Sequence, residues 1–230
     1  AQESRGLGDV YKRQAGGGIN LSLTSNWSRQ DVKTVRAVSG GHTTVVFKRT
    51  YLPGIGGWKA PANSTAVQRL VVAGGGGGGS DEGGGGGAGG LIYDTSAALA
   101  PGAIMTVQVG TGGLGGRDSV ATSIRSRATN GQDSIFGSAT AIGGGAGGSA
   151  DQTTPAWYAG QNGGSGGGGA GENRNGVAGL GTAGQGNNGA RADQVAGLGG
   201  GGAGAAGGTS GGTSNGGIGR IINILSLIHI

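Results

Sequence analysis

Residues 70–93 read LVVAGGGGGGSDEGGGGGAGGLIY: two glycine blocks split by Ser80-Asp81-Glu82 and flanked by apolar runs. The six glycines at 74–79 offer no side chain to bury, and glycine loses more backbone freedom on ordering than any other residue. Such a tract is either a flexible linker, as Gly/Ser-rich segments are, or a segment ordered by its own backbone groups. Its surroundings favour order. Val71, Val72, Leu91, Ile92, Ile104, Val107, Val109, Ile135, Phe136 and Ile142 stand beside the glycine blocks in short β-prone runs. A linker is not interrupted so regularly by strand sequence.

The ordered alternative is the polyglycine II rod, a polyproline-II-like helix with three residues per turn, a rise of ~3.1 Å and no internal hydrogen bonds. Its N–H and C=O groups must pair with neighbouring rods, since unpaired buried backbone is costly. Without Cβ, backbones approach closely on every side. Collagen is excluded, because glycine does not recur at every third position and there are only 4 prolines. No long apolar period of 3.6 residues occurs, so helix is scarce. The predicted fold class is all-β, with short strands flanking packed polyglycine II rods and little or no helix.

Composition fits that reading. Of 230 residues, 63 are Gly, against a usual ~7 %. Aromatics make up 4 % and charged residues 12 %, so neither a large oily core nor a charge-solvated disordered chain is indicated. Stability then leans on backbone hydrogen bonding. The net charge of +5 is spread thinly, with a modest gathering at Arg29, Lys33, Arg36 and Lys48 and none of the dense basic stripe that nucleic-acid binding needs. The absence of Cys removes disulfides, thiolate metal sites and cysteine nucleophiles.

The two ends differ from the rest. RGLGDVYKRQ at 5–14 and LSLIHI at 225–230 resemble translated sequencing-adapter segments of assembled environmental reads, and such scars are left out of fold reasoning. The organisation expected is a scar at 1–14, an N-terminal β region at 15–42, a glycine-rich domain at 43–219 and a truncated end with a second scar at 220–230. The chain is read as a fragment. The apolar tail 221–230 is far shorter than a ~20-residue membrane span.

Taken in order, residues 19–27 read as a strand running into a turn, and 31–39 as strand or short helix. Residues 43–51 form a strand rich in β-branched and aromatic side chains. A loop at 52–57 leads to Trp58-Lys59-Ala60-Pro61, a turn at 62–64 and a strand at 65–73. Pro101-Gly102 marks the corner of a hairpin. Residues 117–130 are glycine-free and polar, a surface loop or short helix, and 131–142 hold a pair of short strands.

Catalytic motifs are wanting. G-x-G-x-x-G recurs, but no helix follows it as a dinucleotide site requires, and no Gly-Lys pair supports a phosphate loop. GGLGGRD at 112–118 places its Asp one position late for a calcium-binding glycine repeat, and nothing repeats it. His42 reads as a turn residue and His229 lies in the suspected scar. Asp81-Glu82 reads as a solvated cap of the loop between rods rather than a cation site. The chain is expected to be non-enzymatic, with no cofactor and no metal.

Trp58-x-Ala60-Pro61 followed by residues 66–73 and the glycine block, then Pro101-Gly102 with 106–113, then Gly131 with 134–145, together resemble the glycine-rich domains of bacteriophage tail fibres and tail-tip adhesins. The likeness covers roughly 43–219, with Lys59 and Arg69 where uncharged residues are expected. A similar module occurs in the extracellular part of the anaplastic lymphoma kinase receptor family. The resemblance implies a virion or extracellular location, packed rods, and variable loops at the rod ends contacting a host surface protein or glycan. Other tail fibre subunits are further partners; nucleic acid and membrane insertion are not. The loops singled out contain Ser80, Asp81 and Glu82, and Thr153, Trp157 and Tyr158. Trp157 and Tyr158 have flat apolar faces with polar tips, suited to sugar or protein contacts, or else they plug the end of the domain. The alternatives are a secreted or cell-surface glycine-rich structural protein and the non-catalytic part of a tail-associated hydrolase. Removing residues 1–14 and 225–230 is expected to leave the thermal unfolding midpoint unchanged; a large loss of stability would reverse the reading of the two ends.

Overall fold

The computed structural model describes residues 32–36, 43–47, 55–119, 124–150, 155–171, 176–191, 197–208 and 214–222. The scars, the strand expected at 19–27, His42, Thr153 and His229 lie outside them. The described part is all-β apart from one 3-10 turn, Pro155–Trp157.

Ten short strands punctuate the described residues. β1 (Val32–Arg36) and β2 (Thr43–Phe47) form an antiparallel hairpin. β3 (Ile55–Lys59), β6 (Ile104–Gln108), β9 (Ser134–Phe136) and β10 (Ala139–Ala141) form an antiparallel sheet in the order β10-β9-β6-β3. β4 (Ala66–Val72) pairs with β5 (Leu91–Ala98), and β7 (Arg117–Ser119) with β8 (Ile124–Ser126). Three expectations need correction. Residues 55–57, expected as the end of a loop, belong to strand β3: Gly56 and Gly57 lie opposite Val107 and Thr106 and pair through their backbone. Residues 117–130 contain the β7–β8 hairpin rather than an irregular loop or helix. The turn at Pro101-Gly102 is present, with Gly102 at φ +73°, but the strands it joins, β5 and β6, enter different sheets.

Most apolar packing lies at the strand end; a small pair, Ala190 with Leu198, is buried where rods 9 and 10 meet the distal end. Trp58, Ala60, Leu99 and Val107 are buried together, joined by Val67, Met105 and Phe136. Val71, Ala73, Ala139 and Ala141 form a second cluster, with Ile92 and again Phe136 at its edge. The Phe136 ring lies 5.6 Å from that of Trp58, tilted by 40°. Arg69 faces the same side of β4 as Val67 and Val71 and is paired with Asp94 across the ladder at 3.2 Å.

Beyond the strands the chain runs as straight rods: 73–79 (rod 1), 83–90 (rod 2), 110–116 (rod 3), 129–133 (rod 4), 143–150 (rod 5), 158–162 (rod 6), 163–171 (rod 7), 176–182 (rod 8), 185–191 (rod 9) and 197–203 (rod 10). At Val72 the β4–β5 ladder gives way to rods 1 and 2, and the pairing step changes from two residues to three. The N–H groups of Ala73, Gly76 and Gly79 donate to the carbonyls of Gly90, Gly87 and Gly84. Gly74 and Gly77 donate to Gln132 and Thr129 of rod 4 and accept from Gly144 and Gly147 of rod 5. Gly75 and Gly78 accept from Gly113 and Gly116 of rod 3. Each row of a three-residue helix thus serves its own neighbours.

Rod 7 shows the complete arrangement. Ser165 and Gly168 donate to rod 2 (Ala88, Gly85) and accept from rod 5 (Gly145, Gly148). Gly166 and Gly169 donate to rod 9 (Asn187, Ala190) and accept from rod 10 (Gly201, Leu198). Gly167 and Ala170 donate to rod 6 (Gln161, Tyr158), and Gly167 accepts from Gly179 of rod 8. Three rows, each donating on one side and accepting on the other, surround one rod with six. All of 163–171 is buried.

The reason for glycine here is space. No described rod glycine lies in the left-handed region, Gly184 belonging to the turn between rods 8 and 9, so an L-residue could adopt the rod conformation. What excludes it is a carbonyl oxygen 1.8–2.1 Å from the Cβ position at Gly74, Gly76, Gly77 and Gly79. The glycine Cα–H points at that oxygen instead, a Cα–H···O contact. At Gly75 and Gly78 the nearest atoms lie at 3.6 and 3.9 Å, and both residues are exposed. An alanine scan of 74–79 is therefore expected to show a period of three in urea unfolding. Gly74, Gly76, Gly77 and Gly79 should each lose ~1–3 kcal/mol or more through overpacking, while Gly75 and Gly78 are neutral or gain up to ~1 kcal/mol from reduced unfolded-state freedom. Uniform tolerance would refute the lattice.

Candidate functional site

Because successive rods alternate in direction, their connections fall at two ends. One carries the strands. The other, the distal end, collects the turn after rod 1, strands β7 and β8 after rod 3, and the facing ends of rods 5 and 6, 7 and 8, and 9 and 10.

Hydrogen bonds tie the distal end together. The Ser80 N–H donates to Ser149 Oγ at 3.2 Å. The Ala150 N–H lies 3.2 Å from the carbonyls of both Ser80 and Asp81. The Gly171 N–H donates to Glu82 O at 3.1 Å, that of Ser149 to Trp157 O at 2.7 Å, and that of Ala170 to Tyr158 O at 2.9 Å. Ser80-Asp81-Glu82 and the described part of the second loop, residues 155–158, are thus joined through Ser149, Ala150, Ala170 and Gly171. Ser80 is partly buried, Asp81 and Glu82 are exposed, and Trp157 and Tyr158 are half-buried. Trp157 closes the 3-10 turn, whose first carbonyl, Pro155 O, accepts from the Tyr158 N–H at 3.1 Å.

Asp81 and Glu82 have φ angles of +50° and +49°. Two successive positive φ angles are what a tight turn between antiparallel segments needs, and glycine or asparagine normally supplies them. An L-residue held there is disfavoured by roughly 1–2 kcal/mol. Glycine fills nearly every flanking position, so the two carboxylates stand at the one place where glycine would be easiest to accommodate.

The sequence did not point to the side chains that close the rods laterally. Asn130 and Asp133 Oδ1 accept from Ala146 and Gly143, Asn162 Oδ1 from Leu180, Gln185 Oε1 from Ile142, and Asn188 Oδ1 from Gly181, at 2.7–2.9 Å. Each supplies an acceptor where rods do not meet backbone to backbone. The signal was isolated Asn and Gln in otherwise small-residue tracts. Arg127 was also missed. It follows β8, is half-buried, and its Nη2 donates to Ala159 O at 3.0 Å; burial pushes its pKa below the usual guanidinium value.

Elsewhere, a groove of about 780 Å³ runs along rods 1, 2 and 10, lined mostly by glycine backbone with Arg220 at one side. Among the described residues no group of His, Asp and Glu is arranged to hold a metal ion. Neither feature gathers the acids, bases and nucleophiles of a catalytic centre.

A lattice of rods with glycine at nearly every inward position makes one comparison decisive: the glycine-rich domain profile matches residues 49–224. The chain belongs to the glycine-rich domain family. The match spans the rods together with β3 to β10. No curated protein and no solved structure matches the chain. Within this glycine-rich domain, the tip between rods 1 and 2 is strained, and its relief is measurable. Glu82→Gly removes the left-handed penalty of ~1–2 kcal/mol against ~0.4–1 kcal/mol of added unfolded-state freedom. It is expected to gain up to about 1 kcal/mol in urea unfolding; a loss would show that the Glu82 side chain itself holds the turn.

Proposed function

We propose that this glycine-rich domain is a non-enzymatic phage virion protein, a tail-fibre or tail-tip adhesin scaffold that presents its distal loops to a host-surface protein or glycan. The observation that carries the reading is the convergence of Ser80-Asp81-Glu82 with Trp157 and Tyr158 on one end of the rod lattice. Its polar loops sit on a rod body whose interior glycines tolerate no side chain, and rigid scaffolds with variable loops are a common basis for recognition. The resemblance of the 58–145 segments to phage tail adhesins supports the same class of function and an extracellular or virion location. Other tail fibre subunits are further partners. No helix among the described residues is long and apolar enough to cross a membrane, and binding through loops requires none.

Strain at the tip agrees with this role. Left-handed backbone at two acidic residues persists where something other than stability keeps it. Aromatic faces beside it supply the contact area that anchors sugars and proteins.

The test is adhesion of the purified chain to a panel of bacterial cells and immobilised surface glycans. Trp157→Ala, Tyr158→Ala and the double change Asp81→Ser with Glu82→Ser are expected to weaken attachment about ten-fold or more. Unfolding should be little affected, because the lattice bonds at Tyr158 and Glu82 use the backbone. Attachment unaffected by all of these changes would refute the distal-loop reading, and turnover of a surface polymer by the chain would favour an enzyme.

A further inference from the structure

We propose that Arg127 is an oxyanion-binding element of the distal end, holding a carboxylate, sulfate or phosphate group of a bound ligand beside the Pro155–Trp157 turn. The proposal rests on the reading of that end as the recognition face, and names the ligand chemistry it takes.

Two arginines among the described residues have an enclosed Nε without a partner, Arg69 and Arg127. Their charges are treated differently. Arg69 is balanced by Asp94 at 3.2 Å. Arg127 has no ion-pair partner among the described residues. Its Nη2 spends one donor on a neutral acceptor, the Ala159 carbonyl at 3.0 Å. That bond fixes the guanidinium next to the segment holding Trp157 and Tyr158, two and one residues before Ala159.

A guanidinium stays protonated even when burial works against it, so the charge at Arg127 is held partly out of water with no counter-charge among the described residues. Burial does lower its pKa, which is the expected sign for a desolvated cation. An enclosed charge without a partner is destabilising. The enclosed Nε is out of a ligand's reach, and the terminal Nη groups of the planar fork are best completed by a bidentate oxyanion, which makes the hydrogen bonds charge-assisted. Trp157 and Tyr158, in the segment that runs on to Ala159, carry aromatic faces of the kind on which a sugar ring stacks. Acidic or phosphorylated saccharides combine both features.

The test uses the full chain and three probes: glucuronate, glucose 6-phosphate and glucose, followed by amide resonances of Ala159 and Gly160. The charged sugars are expected to shift these amides and glucose is not; the tighter of the two distinguishes carboxylate from phosphate. Arg127→Gln should weaken charged-sugar binding about ten-fold or more, and Arg127→Lys should retain part of it at low salt. Equal shifts with glucose, or full binding by Arg127→Gln, would overturn the proposal. Should the Gln variant fail to fold, the unaltered chain decides: binding that does not fall as salt rises to about 0.5 M is not electrostatic, and the proposal fails. Cell attachment separates this from the broader reading. If Trp157→Ala abolishes attachment while Arg127→Gln leaves it intact, the recognition face stands and the anion site falls. If Arg127→Gln abolishes sugar binding on a chain that attaches to no cell, the anion site stands and the adhesin reading falls.

Discussion

Where an inward rod glycine would carry a Cβ, a carbonyl oxygen of the next rod already lies about 2 Å away, and the rest of the molecule depends on that contact. It sets the spacing between rods, and the spacing brings N–H and C=O groups within bonding distance of their neighbours. Each such bond contributes on the order of 1 kcal/mol net, and the Cα–H···O contacts add smaller amounts. Their number, rather than the strength of any one, opposes the large entropy of ordering glycine. The interior illustrates how little side chain is involved: the largest wholly buried side chains are those of Ser149 and Ser165.

Such a lattice requires help at its boundary. At the strand end, the clusters around Trp58, Val107 and Phe136 and around Val71, Ala139 and Ala141 supply the hydrophobic burial that the rods lack. They lock the emerging chain into register, because the β4–β5 ladder runs directly into rods 1 and 2. At the sides, Asn130, Asp133, Asn162, Gln185 and Asn188 offer carbonyl or carboxylate oxygens in place of a missing rod. The distal end has a smaller share of both: Ala190 packs on Leu198 and Ser149 Oγ accepts from the Ser80 N–H. Around them stand exposed carboxylates, half-buried aromatics and a guanidinium with no ion-pair partner among the described residues.

Much of the fold was legible because local signals and tertiary demand agree. The β-branched run 66–72 became β4 with Val67 and Val71 facing inward, and 134–141 became β9 and β10 around Gly137 at φ +59°. The misreadings share one cause, which is that partner and environment were invisible. Gly56 and Gly57 look like a loop until Val107 and Thr106 are opposite them. The polar stretch after residue 117 looks irregular until its two halves pair. Strands β5 and β6 look like a hairpin because they flank a turn, yet β4 and β3 claim them. At the candidate site, Ser80-Asp81-Glu82 and the Trp157-Tyr158 loop stood out as breaks in monotonous sequence. Arg127 did not, because its distinction lies in having no ion-pair partner among the described residues.

Glycine blocks joined to β-prone runs determined by themselves that this chain would build rods and short strands, since no other ordered state suits a backbone with so little side chain to bury. They also determined that at most some positions in each block could accept a side chain, through the three-residue period. Which positions those are was decided only by tertiary structure. Gly75 and Gly78 face outward and Gly76 faces Gly145, yet the three are identical in sequence. The same holds for the distal end: alternation of rod direction brings residues 80–82 beside Ser149 and Ala150, and these beside Trp157, and nothing local encodes it. A polyglycine rod has no side chains with which to specify its neighbours, so pairing is dictated by where strands, turns and flanking amides place each rod in the lattice.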